Sequence, residues 1–84
     1  MLNQNYPNPF NPSTIISFSL PESADIQLSI FDIMGRELKT LYRGYKSAGA
    51  HQMEFDGTDF VSGVYFYRLT YGNQVQTRKM LLVK

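Results

Sequence analysis

The side chains able to do chemistry in this sequence are few and scattered. A single histidine, His51, alternates with Met53 and Phe55. One imidazole cannot hold a metal alone, and acid–base work needs a partner within hydrogen-bond reach. The pattern describes a packed or half-exposed strand residue instead. Asp56 and Asp59 flank a turn and offer carboxylates to calcium, but the alternating acids followed by glycine of a calcium loop are missing. Turn formation is the stronger reading there, and weak calcium binding the lesser one. The absence of cysteine removes disulfide frameworks, zinc sites and thiol catalysis. Asn11-Pro12-Ser13 has the outline of a glycan acceptor with proline in the forbidden position. There is no phosphate-cradling glycine loop and no Gly-x-Ser-x-Gly elbow. No catalytic residue, metal site or cofactor is expected, and the chain is not expected to be an enzyme.

Composition supports that reading. The 84 residues are enough for one small domain, 43% hydrophobic and 14% aromatic, with six Tyr, six Phe and no Trp. A chain this short hides only about 60% of its unfolded surface. Its apolar residues must go to a core rather than to a buried catalytic pocket. Eight Lys plus Arg against seven Asp plus Glu leave a net charge of +1, so no global field draws it to nucleic acid. Residues 65–84 nevertheless carry Arg68, Arg78, Lys79 and Lys84 and no acid. Those cations fit guarded edge strands better than a nucleic-acid groove. No apolar run approaches membrane-spanning length. No charged-then-apolar leader opens the sequence, so any export leader is expected on a larger precursor.

The elements that position these residues follow from periodicity. All four prolines, Pro7, Pro9, Pro12 and Pro21, fall early. Residues 1–13 form a Pro/Asn-rich entry segment in which helix is excluded and asparagine side chains replace lost amides. It is expected to pack on the domain through Tyr6 and Phe10. From residue 14 to 84 the period is two. Ile16, Phe18 and Leu20 mark one strand, and Ile26, Leu28 and Ile30 a second. Glu37–Tyr42 makes a third and His51–Phe55 a fourth, separated by a loop over 43–49. Val64–Tyr71 and Gln74–Val83 follow. Gly35 is expected to take positive φ in the turn after Met34. The whole reads as all-β: an immunoglobulin-like antiparallel β-sandwich of about seven strands.

The last two strands can be set in register. A two-residue loop at Gly72-Asn73 puts Tyr71 opposite Gln74, Tyr67 opposite Arg78 and Tyr65 opposite Met80. One face then holds Tyr65, Tyr67, Leu69, Met80 and Leu82, and is the better core. The other holds Phe66, Arg68, Lys79, Leu81 and Val83, more apolar surface than solubility requires, which suggests docking. Gly63 before Tyr65 has the form of a tyrosine corner, with Gly63 expected at positive φ.

Six stretches together carry a resemblance. They are Asn5-Tyr6-Pro7-Asn8-Pro9-Phe10-Asn11-Pro12-Ser13-Thr14, Asp32-Ile33-Met34-Gly35-Arg36-Glu37, Ala48-Gly49-Ala50-His51, Phe55-Asp56-Gly57, Ser62–Leu69 and Thr77–Lys84. In this order they resemble the type A C-terminal sorting domain of the type IX (Por) secretion system, also described as a flagellar-hook-capping-like immunoglobulin fold. Position 55 is Phe where many relatives have Trp. The resemblance implies a C-terminal sorting signal on a larger cargo protein. Such a precursor transits the periplasm, is recognised by the outer-membrane type IX translocon, and is processed by a surface sortase for release or cell-surface attachment. It implies a recognition role for Met80, Leu81, Leu82, Val83 and Lys84, with Gly63 and Tyr65, and an entry motif at Pro7, Asn8 and Pro9.

The rival from another class is a surface adhesion or carbohydrate-binding module of the same fold. A row of exposed aromatics would favour it, and buried tyrosines with an accessible C-terminus favour the sorting signal. A hook-capping scaffold would differ only in being an internal domain.

Overall fold

Alternating apolar and polar residues build six strands in the computed structural model, which describes residues 1–84. They are β1 (Ser13–Leu20), β2 (Ala24–Phe31), β3 (Glu37–Lys46), β4 (Gly49–Asp56), β5 (Gly63–Tyr71) and β6 (Gln74–Leu82). One sheet pairs β1 with β4, and the other has the order β3-β2-β5-β6, with every pairing antiparallel. No helix forms, so none is long and apolar enough to cross a membrane.

The two sheets share one core. Ile16, Phe18 and Leu20 of β1 and Phe55 of β4 meet Ile26, Leu28 and Ile30 of β2, joined by inward residues of β5 and β6. Burying each such side chain stabilises by about 1.5–3 kcal/mol. The terminal hairpin has the expected register, with Tyr71 opposite Gln74, Tyr67 opposite Arg78 and Tyr65 opposite Met80. Tyr65, Tyr67, Leu69, Met80 and Leu82 are buried accordingly.

Two expectations are corrected. The chain has six strands rather than about seven, and the stretch over 43–49 is mostly strand, because β3 runs on to Lys46. Gly44 lies inside β3 opposite Ile26 at φ +148°, with the Tyr42 hydroxyl oxygen in ordinary contact, 3.4 Å from where a Cβ would stand. The Tyr42 hydroxyl donates to the Tyr45 carbonyl at 2.8 Å, tying that end of the strand together. A seventh place is occupied without a seventh strand. Residues Leu2 and Tyr6 bridge to Phe18 and Ile15 of β1. Pro7, Pro9 and Pro12 lack the amides that a continuous ladder needs.

Candidate functional site: the entry segment and the terminal strand

The entry segment lies across one side of the sandwich and bonds to both sheets. Toward β1, Asn3 N donates to Ser17 O and Tyr6 exchanges both backbone bonds with Ile15. Toward β6, the Leu81 amide donates to Asn8 Oδ1 at 3.0 Å. Phe10 N donates to Leu81 O, and Val83 N donates to Phe10 O, each at 3.0 Å. Nearer the start, Leu2 N donates to Gln76 Oε1 at 2.6 Å and Arg78 Nε donates to Leu2 O at 2.8 Å. Gln4 Nε2 reaches Lys79 O at 2.8 Å. Polar side chains supply bonds that a proline-interrupted backbone cannot make.

Asn5 is the internal fastening. It is buried, and its amide donates to the Tyr67 hydroxyl at 2.7 Å. Its Nδ2 donates to Pro7 O at 3.1 Å and to Thr14 Oγ1 at 3.0 Å. The Thr14 hydroxyl in turn donates to Pro7 O. Of the two aromatics assigned to anchoring, Phe10 is 2% exposed but Tyr6 is 79% exposed. Tyr6 pairs in register with Ile15, itself on the outer face of β1, so its ring points outward. Of the two aromatics only Phe10 anchors the segment, beside the buried Leu2 and Asn5.

The corner before β5 joins the same assembly. Gly63 has φ +154°, and the Tyr65 hydroxyl donates to Val61 O at 2.6 Å, which closes the tyrosine corner. An edge-to-face chain of rings runs from Phe10 to Phe55 at 5.9 Å, Phe55 to Phe60 at 5.2 Å and Phe60 to Tyr65 at 5.6 Å. Such pairs contribute about 0.5–1.5 kcal/mol each beyond burial. Gly57 sits where Phe10, Pro12 and Leu82 converge, and its amide donates to Pro12 O at 2.8 Å.

The structure distributes the residues of the terminal strand unevenly. Met80 and Leu82 are buried in the core. Leu81 and Val83 are exposed at 37% and 47%. Lys84 is exposed, its amide donates to Ser62 Oγ at 3.0 Å, and its ammonium donates to Thr58 O. Pro7, Asn8 and Pro9 are all exposed, yet Pro7 O and Asn8 Oδ1 both accept bonds. The entry motif, the corner and the terminal strand therefore meet along one side of the molecule.

The chemically capable residues lie apart from one another. His51 Nε2 is 2.7 Å from Ser47 O, and the ring rests against Phe18. The Asp56 carboxylate accepts from the Thr58 hydroxyl and amide, which hold it below its ordinary pKa. Asp32 is held low chiefly by the Arg36 amide, with the guanidinium at 2.8 Å. No group of three or more His, Cys, Asp or Glu residues comes together. The largest recess, about 500 Å³, is an open groove between the β2–β3 turn and the β4–β5 corner.

Sequence reasoning missed Asn5, Thr14 and the hydroxyl of Tyr67. The one available signal was that an inward tyrosine must find a partner for its hydroxyl.

A family model described as a secretion system C-terminal sorting domain matches residues 4–84. No curated protein and no solved structure matches the chain.

Proposed function

Because the chain belongs to the family of secretion system C-terminal sorting domains, we propose that it directs a fused upstream cargo through the outer-membrane type IX translocon, after periplasmic transit, for release or attachment by a surface sortase. The family itself implies a sorting signal for type IX secretion, carried by cargo that is secreted or held at the cell surface. It is not an enzyme family.

One observation carries the finer reading. The terminal strand is split between a buried row, Met80 and Leu82, and a presented row, Leu81, Val83 and Lys84. The first row anchors the signal in a folded domain and the second leaves it legible from outside. Asn8 and Phe10 hold the backbone of that strand in place, which gives the entry motif a role in display. The adhesion alternative has less support. Tyr65 and Tyr67 are buried, and the exposed tyrosines, Tyr6 and Tyr45, belong to the entry segment and to β3 rather than to one row.

The test is export of a reporter fused upstream of the domain in a type IX-competent bacterium, with Lys84→Glu compared against the parent. Lys84 is exposed, and the reversal gives up its ammonium bond to Thr58 O and sets a carboxylate near Asp56, a cost of about 0.5–1.5 kcal/mol. Export should fall far more than this small drop in melting temperature accounts for, and Thr58→Ala, with the cation kept, should export like the parent. Deleting Leu82-Val83-Lys84 is a poorer test, because Leu82 is fully buried and its loss costs about 2–5 kcal/mol. Export that persists without the domain would refute the proposal.

A further inference from the structure

The sheet face opposite the core is where β5 and β6 turn outward together. Val64 lies opposite Leu81, and Phe66 opposite Lys79. Phe31 of β2 lies opposite Phe66, and the Arg68 guanidinium sits over the Phe31 ring at 4.2 Å. The result is an apolar strip of Phe31, Phe66, Val64 and Leu81, bordered by the exposed cations Arg68 and Lys79. Residues 60–84 contain no acid. The acid across the register from Phe31 is Glu37, on the edge strand, and it already accepts the Thr40 hydroxyl.

The adjoining strand edge is closed. Asn8 and Phe10 occupy the backbone groups of Leu81 and Val83 on the side of β6 away from β5. A partner strand therefore has no free ladder to join at the end of β6, and recognition there must use side chains.

We propose that this outer face docks onto a folded protein surface of the export machinery that is acidic around an apolar centre. This rests on the sorting-signal reading and names the surface it uses. Positive charges around an apolar strip are complementary to such a surface. Arg and aromatic residues dominate the energetics of protein interfaces. An anionic membrane fits less well, since each surface cation contributes only about 1 kcal/mol to lipid binding, only Arg68 and Lys79 border the strip, and the one further cation of this face, Arg43 opposite Gln27, shares it with the acids Asp25 and Glu37.

The experiment is export of the same upstream reporter, with melting of each purified domain. Arg68→Glu with Lys79→Glu should lower export about tenfold or more, as like charges meet across the interface. The paired conservative changes Arg68→Lys and Lys79→Arg should retain most export. Lys39→Glu on β3, opposite the core residue Ile30, should leave export unchanged. If the double reversal lowers the melting temperature, Lys79→Glu alone, whose ammonium makes no hydrogen bond or ion pair, carries the test with a smaller loss. Full export by a reversed variant that melts like the parent would overturn the proposal. If deleting the domain abolishes export while the reversal does not, only the face is wrong; if deletion also leaves export intact, the sorting reading itself fails. Binding of the purified domain to vesicles of equal parts phosphatidylethanolamine and phosphatidylglycerol, lost on reversal, would transfer the face to lipid and likewise overturn it.

Discussion

The hydroxyl of Tyr67 accepts the amide of Asn5 at 2.7 Å, across 62 residues of sequence. The same hydroxyl donates to the Asn3 carbonyl at 2.7 Å. A single oxygen on β5 thus fastens the entry segment from inside. Tyr67 is fully buried and Asn5 nearly so, so water cannot replace the bond readily.

Tyr67→Phe should therefore cost about 1–3 kcal/mol, the penalty for leaving a buried donor unpaired. Thermal unfolding gives the magnitude. Amide exchange at Asn5 should accelerate more than exchange in β2, because the loss begins at the entry segment.

The same hydroxyl sets a pH limit. Burial pushes the Tyr67 phenol above its ordinary value of 10.0. The folded state then binds the proton more tightly than the unfolded chain, so the stabilisation is complete below that value and declines as pH rises above it. The melting temperature should fall more steeply above pH 10.0 in the parent than in Tyr67→Phe. Parallel slopes would show that this phenol has no part in the alkaline loss.

Tyr65→Phe should be milder. It removes one bond, to Val61 O at 2.6 Å, at an exposed corner where water can reach the freed carbonyl. The expected cost is about 0.5–1.5 kcal/mol. A melting temperature equal to the parent's would mean that the corner bond adds nothing, and the ranking below Tyr67→Phe is itself checkable.

Gly57→Ala should destabilise through crowding. A Cβ there would stand 3.1 Å from Leu82 Cδ2, 3.1 Å from Pro12 O and 3.3 Å from Phe10. Overpacking of this kind costs about 1–3 kcal/mol. Denaturant unfolding measures it, and Gly35→Ala, in an open turn at φ +85°, separates crowding from backbone strain.

Much of the sandwich was legible because a period of two names the buried face directly. Gly72-Asn73 placed every pair of the last hairpin, since a two-residue loop leaves one register. Gly44 misled for the opposite reason: it read as a loop residue, while it lies within a strand at φ +148°, a backbone conformation that residues with side chains rarely adopt. The entry segment was half legible. Its proline content excluded helix, but nothing local distinguishes the buried Phe10 from the exposed Tyr6. That choice is made by partners on β1 and β6, far away in sequence. Gly57 looked like turn chemistry next to Asp56, and only the convergence of Phe10, Pro12 and Leu82 reveals its packing role.

The bonds between the entry segment and β6 also dictate an order of events. Leu2 waits for Gln76 and Arg78, and Phe10 waits for Leu81 and Val83. Within the domain, synthesis delivers those partners more than 70 residues after the segment they hold, so no early collapse can seal this side before residue 83 is available. Closing so large a loop slows folding more than local pairing does. A domain cut short within β6 would lose both the end of that strand and the partners that close the entry segment over the sandwich.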